Sequence, residues 1–207
     1  MSGHHDHGRD HLPGDAHDPP GYRRALWIAL AVNALMFLVE IGAGLSSGSA
    51  SLLADAIDFF GDAANYGLSL AVLSLGVAWR SGAAMLKAAS MLLFGGLVLA
   101  RVAWGALQGE PPEALSMGAV GALALAANLG VAWLLYAYRE GDANMRSVWL
   151  GTRNDAIGNI AVMLAALGVF GTGSAWPDLA VAAGMAALAI GAGVSVLRQA
   201  RRELARA

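Results

Sequence analysis

Beyond a polar first stretch, the chain alternates between long apolar runs and short polar breaks. The runs cover 24–45, 51–78, 84–108, 114–138, 146–170 and 177–198. A helix crossing a ~30 Å hydrocarbon core needs ~20 mostly apolar residues, and each run meets that length. The breaks carry turn chemistry: "SSGS" at 46–49, "GEPPE" at 109–113, "YREGDAN" at 138–144 and "GTGSAWP" at 171–177. A further break is expected around "WRSGAA" at 79–84, marked by Arg80 and the following Lys87 more than by its glycine. The pattern predicts an all-α membrane protein of six transmembrane helices. Three units follow: a disordered His-rich tail over 1–22, a membrane domain over 23–200, and a basic tail over 201–207.

Composition agrees with a membrane chain. Of its 207 residues 57% are hydrophobic and only 14% charged, against about 25% charged in a soluble domain. The absence of cysteine removes disulfides and thiolate metal sites, and a net charge of -2 gives no reason to expect nucleic acid. No signal-peptide pattern is expected at the start, because the first apolar run is too long for an h-region. Lys and Arg set the orientation. With six spans both termini share one side, and Arg9, Arg23, Arg24, Arg80, Lys87, Arg139, Arg146, Arg198, Arg201, Arg202 and Arg206 fall there, leaving only Arg101 and Arg153 within spans. Both termini are therefore expected in the cytoplasm, in a multi-pass protein of the cell membrane, with a bacterial inner membrane as the natural setting. Trp27, Trp79, Trp104 and Trp176 fall near span ends, as interfacial tryptophans do.

The second run contains "SLLADAIDFFGDAANYGLSL", which puts Asp55, Asp58 and Asp62 among Leu, Ala, Ile and Phe. A carboxylate near the bilayer centre costs roughly 2.5–3.5 kcal/mol on insertion scales, so three acting alone cost on the order of 8–10. At 100° per residue Asp55, Asp58, Asp62, Asn65 and Ser69 share one narrow stripe. The fifth run carries "GTRNDAIGN", with Asp155 at a depth matching Asp62 and Asn159 one turn further on. Structural carboxyls, protonated and hydrogen-bonded inside the bundle, are the plain alternative. Clustered carboxylates on two helices argue against it, since they repel and cannot all ionise unless a cation joins them. Oxygen ligands suit Zn²⁺, Mn²⁺, Mg²⁺ or Ca²⁺, and protons can replace a departing metal.

"SGSASLLADAIDFFGD" resembles the second-helix motif of the cation diffusion facilitator family, and "RNDAIGN" resembles its fifth-helix signature. The resemblance covers about 22–200. It implies divalent metal efflux by proton antiport with alternating access, metal ligands at Asp58, Asp62 and Asp155, a homodimer, and no resident cofactor. It departs in two places. The family's fourth ligand, His or Asp four residues before the fifth-helix aspartate, is Gly151 here. Asn154, Asn159, Asp55, a backbone carbonyl or water would have to complete the set. The family's cytoplasmic C-terminal domain is also expected to be missing after "RQARRELARA".

All five histidines lie in "MSGHHDHGRDHLPGDAHDPP". His4, His5 and His7 are candidates to collect cytoplasmic metal, against a plain polar tail. Glu40, Arg101 and Asp55 are expected at one outer level as an ion-pair cluster, either a structural clasp or a gate. Asn33, on Glu40's face, is expected to line an inner vestibule, and Asn128 to act as interhelical glue. Arg153 is expected to point away from Asp155, and Gly184 and Gly191 to permit close helix contact. An intramembrane aspartyl protease also needs two aspartates, but its G-x-G-D signature is not met. The sequence therefore reads as a Zn²⁺-favouring carrier rather than an enzyme. The alternative is a non-transporting metal-sensing or partner subunit with a degenerate site.

Overall fold

The computed structural model describes residues 21–71, 77–140 and 143–204, and within them six long helices and no strand. They are α1 (Tyr22–Ser47), α2 (Ala50–Ala71), α3 (Val77–Gln108), α4 (Ala114–Leu135), α5 (Ala143–Thr172) and α6 (Trp176–Leu204), with a 3-10 turn at Tyr136–Tyr138 after α4. The tail bearing His4, His5 and His7 lies outside the described residues. Five of the helices have a stretch long and apolar enough to cross a membrane. The other is α2, whose length suffices but which carries the three aspartates.

Boundaries differ from expectation in three places. Residues 79–84, expected as a break, are helical, and α3 begins at Val77. Trp, Arg, Ser and Ala are all serviceable in a helix, and one glycine, Gly82, costs only about 1 kcal/mol. α1 starts at Tyr22, whose side chain is buried. α6 runs on to Leu204, where Arg201 and Arg202 in its last turn complement the helix dipole.

The helices pair α1 with α2, α4 with α5, and α3 with α6, while α2 packs against all five others. The outer faces are apolar: Leu35, Leu38, Leu86, Leu123, Leu164 and Leu188 are exposed, as are Trp27, Trp104 and Trp176. Lipid is the solvent that makes such a surface stable, so this is a multi-pass membrane protein. Between helices, packing replaces the hydrophobic effect as the driving force, and small residues let backbones approach. A Cβ at Gly95 would come within 2.7 Å of Ile190, and one at Gly193 within 3.2 Å of the Ala88 carbonyl. These two glycines allow the α3–α6 contact. Gly184 and Gly191 do not, since a Cβ at either meets nothing within 4 Å and both are exposed.

One end of the bundle is tied by the stretch between α1 and α2. Gly48 turns the chain with φ 75°, a left-handed value that favours glycine. Asp178, in the first turn of α6 and 1% exposed, caps the start of α2. Its carboxylate accepts from Ser49 Oγ at 2.7 Å, Ala50 N at 2.8 Å and Ser51 N at 3.0 Å. Arg101 of α3 donates to the Gly48 carbonyl at 2.9 Å, and Glu113 N, just before α4, donates to the Ser47 carbonyl at 3.0 Å. Orphan backbone groups at two helix ends are thereby satisfied away from water.

Asp178→Ala leaves two buried backbone amides without an acceptor and takes the carboxylate from the Ser49 hydroxyl. It should cost about 2–4 kcal/mol, from the worth of charge-assisted bonds and helix caps. Thermal unfolding of the purified protein should show a clearly lowered midpoint, with Asp178→Asn intermediate. An unchanged midpoint in Asp178→Ala would mean the cap is not formed.

Candidate functional site

α2 and α5 run antiparallel, and their polar faces meet at three levels. Asn159 Nδ2 donates to Asp55 Oδ2 at 2.5 Å. About two turns further along α2 the carboxyls of Asp62 and Asp155 meet within hydrogen-bonding reach. One turn beyond, Tyr66 contacts Thr152, hydroxyl to hydroxyl, at 2.5 Å. Of the stripe expected on α2, Asp55 and Asp62 therefore reach α5, while Asn65 is turned to Lys87 of α3.

The middle level is short of donors. Tyr66 Oη donates to Asp62 Oδ2 at 3.1 Å. Tyr66 and Thr152 have one hydroxyl proton each, and the Thr152 hydroxyl also lies within donating distance of the Val148 carbonyl, at 3.2 Å. Asp155 Oδ2 is buried and has no donor at all. Asp58 stands one turn from Asp62 on the same face of α2. As they stand, no three His, Asp or Glu side chains among the described residues converge tightly enough to hold an ion. The Asp62–Asp155 pair is brought together, and Asp58 flanks it.

The accessory candidates are disposed differently. Asn159 has both ends engaged, receiving Asn128 Nδ2 at 2.8 Å while it donates to Asp55. Asp55 faces Asn159 and Glu40, one turn away from Asp58. Asn154 turns outward: it is exposed, and its oxygen accepts from Arg153 at 3.3 Å. The cause is geometry, since a residue adjacent to Asp155 points about 100° away around the helix. Arg153 also points away, as expected, with its guanidinium 5.5 Å from the Trp149 ring. At Gly151 a Cβ would meet nothing within 4 Å, so the expected fourth-ligand position is open space.

The expected clasp of Glu40, Arg101 and Asp55 does not form. Arg101 is committed to the Gly48 carbonyl and makes no ion pair with either acid. A loop carbonyl without a donor competes for the guanidinium and holds it at the bundle end. Asn33, on the buried face of α1, donates to the Ala29 carbonyl at 2.8 Å, and its own oxygen is donorless. On the other flank of α2, Lys87 of α3 donates to Asn65. Tyr66 and Thr152 escaped the sequence reading. Both were findable, one turn after Asp62 and three residues before Asp155 on the same faces.

This helical bundle with facing carboxylates matches the family model described as the cation efflux transmembrane domain over residues 26–205. The chain belongs to that family, which is one of transporters and not of enzymes. It is 29% identical over 184 residues to the metal cation efflux system protein CzcD of Cupriavidus metallidurans, covering 82% of this chain and 58% of that protein. It is 30% identical over 192 residues to the zinc transporter ZitB of Escherichia coli, covering 84% of this chain and 58% of that one. A second zinc transporter ZitB, from Pectobacterium atrosepticum, is 28% identical over 171 residues. The chain thus spans somewhat under three fifths of the length of the first two of these relatives.

Proposed function

We propose that the chain moves divalent metal cations out of the cytoplasm, with Zn²⁺ favoured, and that Asp58, Asp62 and Asp155 bind the ion. One observation carries this reading: Asp62 and Asp155 meet across two antiparallel helices while Asp155 Oδ2 is buried without a donor. Two facing carboxyls held in an apolar bundle call for a positive guest, and a divalent cation neutralises both. Small movements of Asp58 and Asp155 side chains would close the set around an ion, and water would stand where Gly151 offers no ligand. The similarity to proteins named as metal cation efflux and zinc transporters supports the substrate class.

In this reading both termini face the cytoplasm, because the loops at the opposite end hold no Lys or Arg. Protons replace the metal on the carboxylates and couple its export to their entry. The tail of His4, His5 and His7 collects metal ahead of the bundle. The homodimer implied by the family resemblance is the working unit.

The non-transporting metal-sensing or partner subunit is a second reading, and the missing side chain at Gly151 favours it. Flux into liposomes holding only this chain separates the two. Saturable Zn²⁺ uptake that alkalinises the lumen of inside-out vesicles is expected, along with its loss in Asp62→Ala. That variant should still insert, since removing a buried charge eases insertion. Apparent affinity should fall on acidification, because carboxylate ligands bind metal only when deprotonated. Unchanged flux in Asp62→Ala would sink the site assignment.

Gly151→His places an imidazole one turn before Asp155, on the same face and in open space. It should tighten Zn²⁺ binding relative to Mn²⁺, since imidazole favours the softer ion, and it should not lower thermal stability, since glycine is the weaker helix former. Competition titrations against wild type decide this. An identical Zn²⁺/Mn²⁺ preference in a well-folded variant would mean that position 151 does not face the ion.

A further inference from the structure

A second carboxylate pair lies one level nearer the Ser47–Ser51 end of the bundle. Glu40 of α1 is 0% exposed and Asp55 of α2 is 1% exposed, and their side chains meet within hydrogen-bonding reach. Neither oxygen of Glu40 has a hydrogen-bond donor. Asp55 Oδ2 is held by Asn159 Nδ2, whose own carbonyl is held by Asn128 Nδ2, and the ladder ends in a third buried oxygen, Asn128 Oδ1, that lacks a donor. The counter-ion expected at this level, Arg101, is bound to the Gly48 carbonyl instead.

Carboxylates withdrawn from water cost several kcal/mol each, and a buried acceptor left without any donor is rare in native structures. Two acceptors facing each other cannot satisfy one another unless something positive enters between them. A divalent cation matches the charge of the pair. With oxygen ligands alone, the site suits the harder members of the divalent series.

We propose that Glu40 and Asp55 form a second, oxygen-only site for a divalent cation, with Asn159 and Asn128 orienting Asp55 and water completing the coordination. The inference rests on the divalent-cation reading above and extends it to a two-site path. Asp55 precedes Asp58 by three residues and Asp62 by seven, so the sites share a face of α2, with Asp55 about 4.5 Å from the level of Asp58 and about 10.5 Å from that of Asp62. An ion leaving Asp58, Asp62 and Asp155 toward the Ser47–Ser51 end meets Glu40 and Asp55 next, at about 8 Å from the start of α2. The ladder explains why Asn159 is unavailable to the first site: it is spent on Asp55.

The test is calorimetric titration of the full chain in lipid nanodiscs with Zn²⁺ and with Mn²⁺, comparing wild type, Glu40→Gln and Asp62→Asn. The histidine tail is common to all three and cancels in the differences. Each variant is expected to lose one equivalent of metal. Added metal should raise the unfolding midpoint of wild type more than that of Glu40→Gln. Without metal, Glu40→Gln should be at least as stable as wild type, because an amide of the same shape replaces an uncompensated carboxylate. An unchanged number of equivalents in Glu40→Gln would overturn the proposal and point to a shared proton between the acids. A metal-free Glu40→Gln less stable than wild type would overturn it too, marking Glu40 as structural. If Glu40→Gln loses an equivalent while Asp62→Asn loses none, this site stands and the Asp58, Asp62 and Asp155 assignment falls.

Discussion

Acidic side chains without basic partners, buried inside a lipid-facing bundle, are the constraint on which the architecture turns. A helix with three aspartates over eight residues cannot present any face of that stripe to hydrocarbon. α2 meets this demand by packing against every other helix, so that protein rather than lipid surrounds it. The other five helices can each keep an apolar face outward because α2 does not have to. Its central position follows from its charge more than from its apolar residues, although buried Leu52, Phe59 and Tyr66 fill the space around the stripe.

The buried acids fall into two kinds. Asp178 is satisfied three times over, by a hydroxyl and two backbone amides at the start of α2. Such a carboxylate is a fixed part of the framework, and nothing need enter to stabilise it. Glu40 and Asp155 are the opposite, with buried oxygens that no protein donor reaches. Asp62 lies between these extremes, steadied by one hydroxyl from Tyr66 and otherwise turned to Asp155. Donor count therefore separates the acids that hold the bundle together from those free to hold something else.

Much of this was legible in the sequence, because the relevant periods are strong. Six apolar runs of helical length gave six helices, and the 100° stripe of Asp55, Asp58 and Asp62 gave a face that meets α5. The matched depths of Asp62 and Asp155 foretold their meeting. Other features were not legible, since they depend on tertiary contacts that no period encodes. Asp178 reads locally as an acid in a first helical turn, and only the fold brings it to residues 49–51, far away in sequence. Arg101 reads as a partner for Glu40, yet the Gly48 carbonyl outcompetes it. The glycines of α6 look alike in sequence, and only the neighbouring helix distinguishes Gly193 from Gly184 and Gly191.

The end of the bundle held by Asp178, Arg101 and Glu113 bears on what the interior can do. Helices α1, α2, α3, α4 and α6 are bonded there through residues 47–51, whereas among the described residues no hydrogen bond joins α5 to that stretch. α5 reaches α2 instead through the polar ladder of Asn159, Asp155 and Thr152. A carrier working by alternating access must open its site first to one side and then to the other, which requires one element to shift against another. On the proposed reading, the α2–α5 ladder is a contact whose strength an arriving cation would change. It would convert carboxyl–carboxyl repulsion at Asp62 and Asp155 into shared attraction. The bonded end around residues 47–51 would supply the fixed reference and the ladder the variable contact. Charge at the middle level would thereby be converted into a change in how α5 sits against α2.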